Sequence, residues 1–339
     1  SPVANAIRPA GRHYDYAVDS WMLAPFGELS LPFAGRWTFV AGARLEHLSY
    51  TYDNHMIAGN NDENDAPCPV PGSCLYNRPA DRGDSFTNLA PKASLLVHFT
   101  DRQSGYLALA RGFRAPEQTE LYRLQRQQSV ADLKSEELDS LELGMRGAGT
   151  SLSYSLAAFY MEKRHVILRD ASGFNVSDGR TRHRGVEFDC DWRFARDWTL
   201  SGAATFARHT YGFTRAVDGG EQIAAGNDVD TAPRRVGSAR LAWRPTAALR
   251  AELEWVHVGE YYVDAANTER YPGHDLLNLR AAWSPAPAWT VRVRVNNLTD
   301  RAYADRADLA FGNLRYFPGR DRSVFLEIGY HRDQVRASR

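Results

Sequence analysis

No stretch of about 18 apolar residues occurs in this sequence of 339 residues, so it holds no transmembrane helix. An excess of one charge is equally absent. The 41 basic side chains stand against 41 acidic ones, and the basic stripe that nucleic acid would call for is missing. The signatures HExxH, GxxxxGKS/T, GxSxG and GxGxxG do not occur, and Ser, His and carboxylate side chains form no specific constellation, so an enzyme is not expected. Helical periodicity is nearly absent, apart from a helical turn that residues 116–138 could hold. Neither a tandem repeat nor a linker divides the chain, which reads as one domain over residues 1–339. Its start, Ser1-Pro2-Val3, lacks the Met, charged segment and apolar segment of a signal peptide, and is expected to be that of a processed product or a fragment.

Cysteine is scarce, with 3 residues. Cys68 and Cys74 lie in a Pro/Gly-rich loop and fit either a disulfide, which would imply an oxidising compartment, or two free thiols. Their spacing offers no CxxC metal site, and Cys190 stands alone in a strand pattern. Aromatics are plentiful at 12%, with 8 Trp and 16 Tyr, as in the interfacial girdles of a membrane barrel and also in many sandwiches.

What the sequence does carry is alternation. Val186-Glu187-Phe188-Asp189-Cys190-Asp191-Trp192-Arg193-Phe194 has one wholly apolar and one wholly charged face. Residues 249–255, 277–280 and 291–296 repeat the pattern. About thirteen such segments fall near 20–32, 37–52, 86–99, 104–114, 137–147, 150–166, 181–194, 197–211, 232–244, 248–262, 274–284, 288–297 and 321–331. Many reach the 9–11 residues of a tilted membrane strand.

Alternation alone fits a sandwich or a barrel, but the connections differ between the two. Short links (33–36, 100–103, 148–149, 195–196, 245–247, 285–287) alternate with long ones near 53–85, 115–136, 167–180, 212–231, 263–273 and 298–320. Short turns at one rim and long loops at the other mark an outer-membrane barrel. The expected fold is therefore all-β, an antiparallel transmembrane β-barrel wall, with long loops extracellular and the C-terminus periplasmic.

Several stretches resemble the TonB-dependent receptor family. Tyr106 to Pro116 with Glu120-Leu121-Tyr122 is similar to its RGFRAP…ELY stretch, and Leu133 to Glu136 with Leu141 to Gly144 to its LkPE…yElG stretch. Arg184-Gly185-Val186-Glu187 opens a strand in the family's manner, Val295 to Tyr303 resembles its NLfD..Y segment, and Pro318-Gly319-Arg320 precedes the final strand. The resemblance implies a barrel of about 22 strands, of which this chain supplies about the last thirteen. It also implies a plug domain and TonB-contacting segment, both missing here, so this piece alone is not expected to be gated. The residues His331 to Arg339 after Tyr330 depart from the aromatic ending many members have. The implied function is capture and TonB-energised import of a scarce ligand, foremost an iron–siderophore. Alternatives are another metal, cobalamin or a glycan, or a passive channel. Partners would be outer-membrane lipid, the TonB complex and the ligand, with no nucleic acid and no cofactor.

Strand parity nominates ligand-facing residues. With Leu152, Leu156, Ala158 and Tyr160 facing lipid, Lys163 and His165 point inward near the outer rim. His183, His209 and Tyr211 follow in the same way, so three histidines from neighbouring strands are expected at the mouth, as metal-chelate or hydrogen-bonding groups. Arg180, Arg182 and Arg184 are expected either to attract an anionic chelate or to line the lumen paired with Glu187, Asp189 and Asp191. Tyr262, with Tyr261 and Tyr271 around a loop holding Asp264 and His274, is placed either for ligand stacking or in an interfacial girdle. The acidic runs Asp62 to Asp65 and Asn227 to Asp230 lack EF-hand spacing and read as solvated loops.

Overall fold

The computed structural model describes residues 11–64, 66, 68, 74–310 and 312–331; Asp65 of the first acidic run and residues 332–339 of the C-terminal tail lie outside them. Thirteen long strands run through one antiparallel sheet. They are β1 (Tyr16–Leu23 continuing as Phe26–Phe33), β2 (Trp37–Asn54), β3 (Arg82–Thr100), β4 (Gln103–Arg114), β5 (Glu136–Ala148), β6 (Leu152–Arg169) and β7 (Asn175–Ala195). The series continues with β8 (Trp198–Tyr211), β9 (Arg235–Thr246), β10 (Leu249–Val258), β11 (His274–Ala286), β12 (Trp289–Asn296) and β13 (Ser323–Tyr330). Each strand pairs with its neighbours in chain order. The two parts of β1 keep one register against β2, with Leu23 opposite His47 and Phe26 opposite Arg44, so Ala24-Pro25 interrupts a single strand.

Within the apolar band the alternating residues sort onto two faces, and the register shifts fall near the strand ends. Direct cross-strand partners share a face. The chain of partners Leu95, Leu107, Leu143, Ala158, Val186 and Phe206 therefore sits on one side. That side stays apolar to the final strand, where Val324, Leu326 and Ile328 are all more than 60% exposed. An exposed apolar face of this extent is unsuited to water and suited to lipid.

The opposite face is ionic. Arg280 bridges Glu252 and Glu254 at 2.9 Å each, Arg250 pairs with Glu252 at 3.0 Å, and Tyr106 donates to Glu142 at 2.5 Å. Lys92 pairs with Glu28 and Arg292 with Glu327.

Along the strands the apolar face has sharp limits. At the short-turn rim stand Trp192, Trp198, Trp243, Trp283 and Trp289, with Trp198 and Trp243 stacked at 5.8 Å. Eight residues up β7, β9 and β11 from Trp192, Trp243 and Trp283 lie Arg184, Arg235 and Asp275. Eight residues span about 26 Å of strand, or roughly 20 Å after a barrel tilt of about 40°, close to the height of an outer-membrane apolar band. Strands such as β7, with 21 residues, continue well beyond this limit and carry the candidate site.

The long connections are folded. The short helix α1 (Gln118–Tyr122) falls in the one segment where a helical turn was expected. It lays Leu121 and Tyr122 onto the polar face, where Tyr122 stacks on Tyr52 at 4.4 Å and donates to Asp84 at 2.9 Å. From the same segment, the Glu120 carbonyl accepts from Asn175 and Gln128 exchanges two bonds with the Asn175 backbone. Residues 115–135 thus strap the mouth from β2 across to β7. Cys68 and Cys74 are joined in a disulfide with Cα atoms 5.9 Å apart, packed on Tyr76 and Tyr14.

Candidate ligand site at the mouth of the polar face

β7 and β8 pair with His183 directly opposite His209, both on the polar face beyond the apolar limit. Their Nδ1 atoms are 2.8 Å apart, and His183 Nε2 lies 2.8 Å from Thr181 Oγ1. A contact between two Nδ1 atoms holds one proton, so one ring donates and the other accepts. Two converging imidazole nitrogens suit a borderline metal or a hydrogen-bonding chelate. No group of three or more His, Cys, Asp or Glu among the described residues could hold a metal by itself.

The pair belongs to a longer polar rail. Thr181 is opposite Lys163 of β6, and Lys163 bonds the buried Glu136 at 2.8 Å. Glu136 also accepts from Arg114 at 2.7 Å, and Arg114 reaches Glu120 of α1 at 2.9 Å. On the other side Tyr211 donates to Asp230 at 2.5 Å. Sequence alone gives Glu136 no role and reads Asp230 only as the end of an acidic, solvated run. Glu136 stood there only as one letter of a motif, and a carboxylate becomes conspicuous only when neighbouring strands bring cations to it.

The other nominated residues are dispersed. His165 is the extra residue of a bulge, between Arg164 opposite Arg180 and Val166 opposite Gly179, and has φ 55°. Its Nδ1 meets the Ser135 carbonyl at 3.2 Å, so only two of the three expected histidines come together.

The arginines need a correction. Arg182 and Arg184 share parity with Val186 and Phe188 and lie on the apolar side, opposite Glu162 and Tyr160. Arg180 and Arg182 pair with Glu162, the latter at 3.5 Å, and none of the three arginines pairs with Glu187, Asp189 or Asp191, which have the other parity.

Tyr262 lies in a separate pocket with Arg234, Arg235, His257 and His274, under the Arg270 guanidinium at 4.3 Å from its ring. Tyr261 and Tyr271 are not girdle residues. Both are buried in a loop core with Val263, Ala304 and Ala307, and Tyr271 contacts His274 at 2.8 Å.

The second acidic run is not simply solvated. Asp228 is 7% exposed and pairs with Arg208 at 3.0 Å and with Arg234. Nearby, burial raises the Glu221 carboxyl above the usual carboxylate range; Asp230 and Asp264 add to this, while the Ala265 N–H, 2.9 Å away, opposes it.

Comparison with known proteins agrees with this two-faced sheet. Residues 1–298 match the family described as TonB dependent receptor-like, beta-barrel. A ferric aerobactin receptor of Klebsiella pneumoniae is 25% identical, over 94% of this chain and 45% of its own length. The metal-pseudopaline receptor CntO of Pseudomonas aeruginosa is 28% identical over 52% of the chain and 25% of its own length. Among solved structures, the ferric yersiniabactin uptake receptor FyuA from Yersinia pestis superposes with a TM-score of 0.73 at 18% identity, over 93% of this chain and 46% of that one. The chain thus spans about half the length of the proteins it resembles or less. With a matched segment covering most of its residues, and with lipid-type and lumen-type faces kept apart through thirteen strands, the chain belongs to the TonB-dependent receptor β-barrel family.

Proposed function

We propose that this chain is the C-terminal wall of an outer-membrane receptor that captures an iron–siderophore or related metal chelate and imports it with energy delivered through TonB. The reading places the apolar face in lipid, the long loops outside the cell and the C-terminus in the periplasm. A plug and the remaining strands come from sequence beyond this chain, and TonB would act on that plug.

The observation that carries the ligand class is the His183–His209 pair, set on the polar face among hydrogen-bonding groups with no complete metal cage among the described residues. Two nitrogens can complete or grip a metal whose other positions are filled by a chelator. The matched receptors named for ferric aerobactin and metal-pseudopaline support the same class. The proteins of this family are transporters and receptors, so no covalent chemistry is assigned to the site.

The test is uptake of radiolabelled ferric siderophores by iron-starved cells with and without the full-length protein. Uptake lost on deletion and abolished by an uncoupler is expected. Uptake that ignores the uncoupler, together with open conductance of the purified protein in planar bilayers, would replace the receptor with a passive channel.

A further inference from the structure

The row that holds the histidine pair has a third member. His183 of β7 lies between two direct cross-strand partners, His209 of β8 on one side and Met161 of β6 on the other. Direct partners share a face, with Cβ atoms about 4.5–5.5 Å apart. A thioether and two imidazoles therefore stand in one row across three strands. Met161 is one of 4 methionines in the chain. It is on the polar face at the height of the histidines, so contact with lipid cannot account for it.

The setting favours a soft ion of low charge. None of the three donors is anionic. The acids around the row are already held, Glu136 by Arg114 and Lys163 and Asp228 by Arg208 and Arg234. One pair further down the same face stand Phe159, Gly185 and Ala207, an apolar floor. A divalent ion without a carboxylate or thiolate would keep its full charge here, whereas Cu(I) brings a single charge and favours thioether sulfur.

Little has to move to admit the ion. The two Nδ1 atoms are 2.8 Å apart around one shared proton. An ion in its place needs bonds of about 2.0 Å to each nitrogen, so the rings part by about 1 Å through side-chain torsions. The shared proton passes to Nε2 of the ring that donated it. Thr181 Oγ1, 2.8 Å from His183 Nε2, can accept from that nitrogen and so hold Nδ1 as the ligand atom. Met161 is unbranched, and its three rotatable bonds can bring the sulfur up to the pair.

We propose that Met161, His183 and His209 form a binding site for a bare Cu(I) ion, held without a chelator. The proposal rests on the reading of the histidine pair as a metal grip and adds the thioether to it.

The test uses the full-length receptor in detergent under anaerobic conditions, with Cu(I) partitioned between protein and a colorimetric Cu(I) chelator. Met161→Leu conserves volume and removes only the sulfur. It is expected to weaken Cu(I) binding at least about tenfold, the loss that removal of even an outer-shell partner can bring. His183→Ala and His209→Ala should each weaken it as much, and unchanged resistance of the barrel to heat shows that each variant is folded. X-ray absorption at the copper edge should report a sulfur neighbour in the wild type that Met161→Leu lacks, a signal that a merely space-filling methionine would not give. Wild-type affinity in Met161→Leu with weakened binding in both histidine variants rejects the thioether site and leaves the pair as a metal grip. Wild-type affinity in all three variants rejects the site and the metal grip together.

Discussion

His183 and His209 face one another from opposed positions of β7 and β8, Nδ1 to Nδ1 at 2.8 Å, and neither ring is tied to a carboxylate. His209 keeps its Nε2 for a guest, whereas His183 must exchange its bond to Thr181 or to His209 for one to the ligand. If they grip a chelate as a pair, His183→Ala and His209→Ala should each weaken ligand binding by about tenfold, roughly 1.4 kcal/mol. The double variant should lose little more, because the first removal already breaks the pair. Calorimetry on the full-length receptor reads this directly, and unaltered affinity in both single variants would reduce the histidines to lining.

The strap over residues 115–135 depends on Tyr122, which is fully buried between Tyr52 and Asp84. Truncation of a buried aromatic costs about 3–5 kcal/mol, and here that loss falls on a loop rather than on the sheet. Tyr122→Ala is expected to expose the strap to limited proteolysis while the barrel keeps its resistance to heat in detergent. Tyr122→Phe should retain most of the protection, since only the bond to Asp84 is lost.

Leu253 and Glu254 are adjacent in β10 and face opposite media. Leu253→Arg puts a charge into the apolar band at a cost of about 2–4 kcal/mol. Glu254→Gln only weakens a lumen ion pair with Arg280, worth about 1 kcal/mol. Urea unfolding in lipid vesicles should separate the two variants in that order; the reverse order would mean that the faces have been assigned the wrong way round.

The raised carboxyl of Glu221 gives the long loops a pH dependence of defined sign. A folded-state pKa above the unfolded value means that the folded loop holds the proton more tightly. The stabilising contribution is complete below the ordinary carboxylate pKa of about 4.3 and is lost as pH rises through the raised value. Hydrogen exchange at the Ala265 amide, which bonds to Glu221, should therefore show less protection at neutral pH than in acid, after correction for intrinsic rates. Glu221→Gln should flatten the profile.

Much of this architecture can be read from the chain because a strand has period two. The segments around 181–194 and 197–211 alternate cleanly; the structure extends the first to Asn175–Ala195 and bounds the second at Trp198–Tyr211. The outward facing of Arg182 and Arg184 follows from the same arithmetic once they are counted with Val186; expecting them in the lumen gave rim position more weight than parity. His165 is different in kind. Its bulge arises from the register between β6 and β7, a relation between two strands that neither reveals alone. The loop core of Tyr261, Tyr271 and Ala307 joins residues more than thirty positions apart, with no periodic pattern to announce it.

The interval between the tryptophan rim and the charged ring is counted in residues, and this restricts where the chain can change length. One residue added to β7 between Arg184 and Trp192 would turn every side chain on one side of the insertion to the wrong medium. Two added residues would keep the faces but lengthen the greasy interval by about 7 Å, more than a bilayer absorbs without strain. The wall is thus a fixed gauge, while the loops above the ring can lengthen, shorten or be exchanged at little cost to it. The chemistry of the mouth can therefore be rewritten in those loops alone, with the wall left as it is.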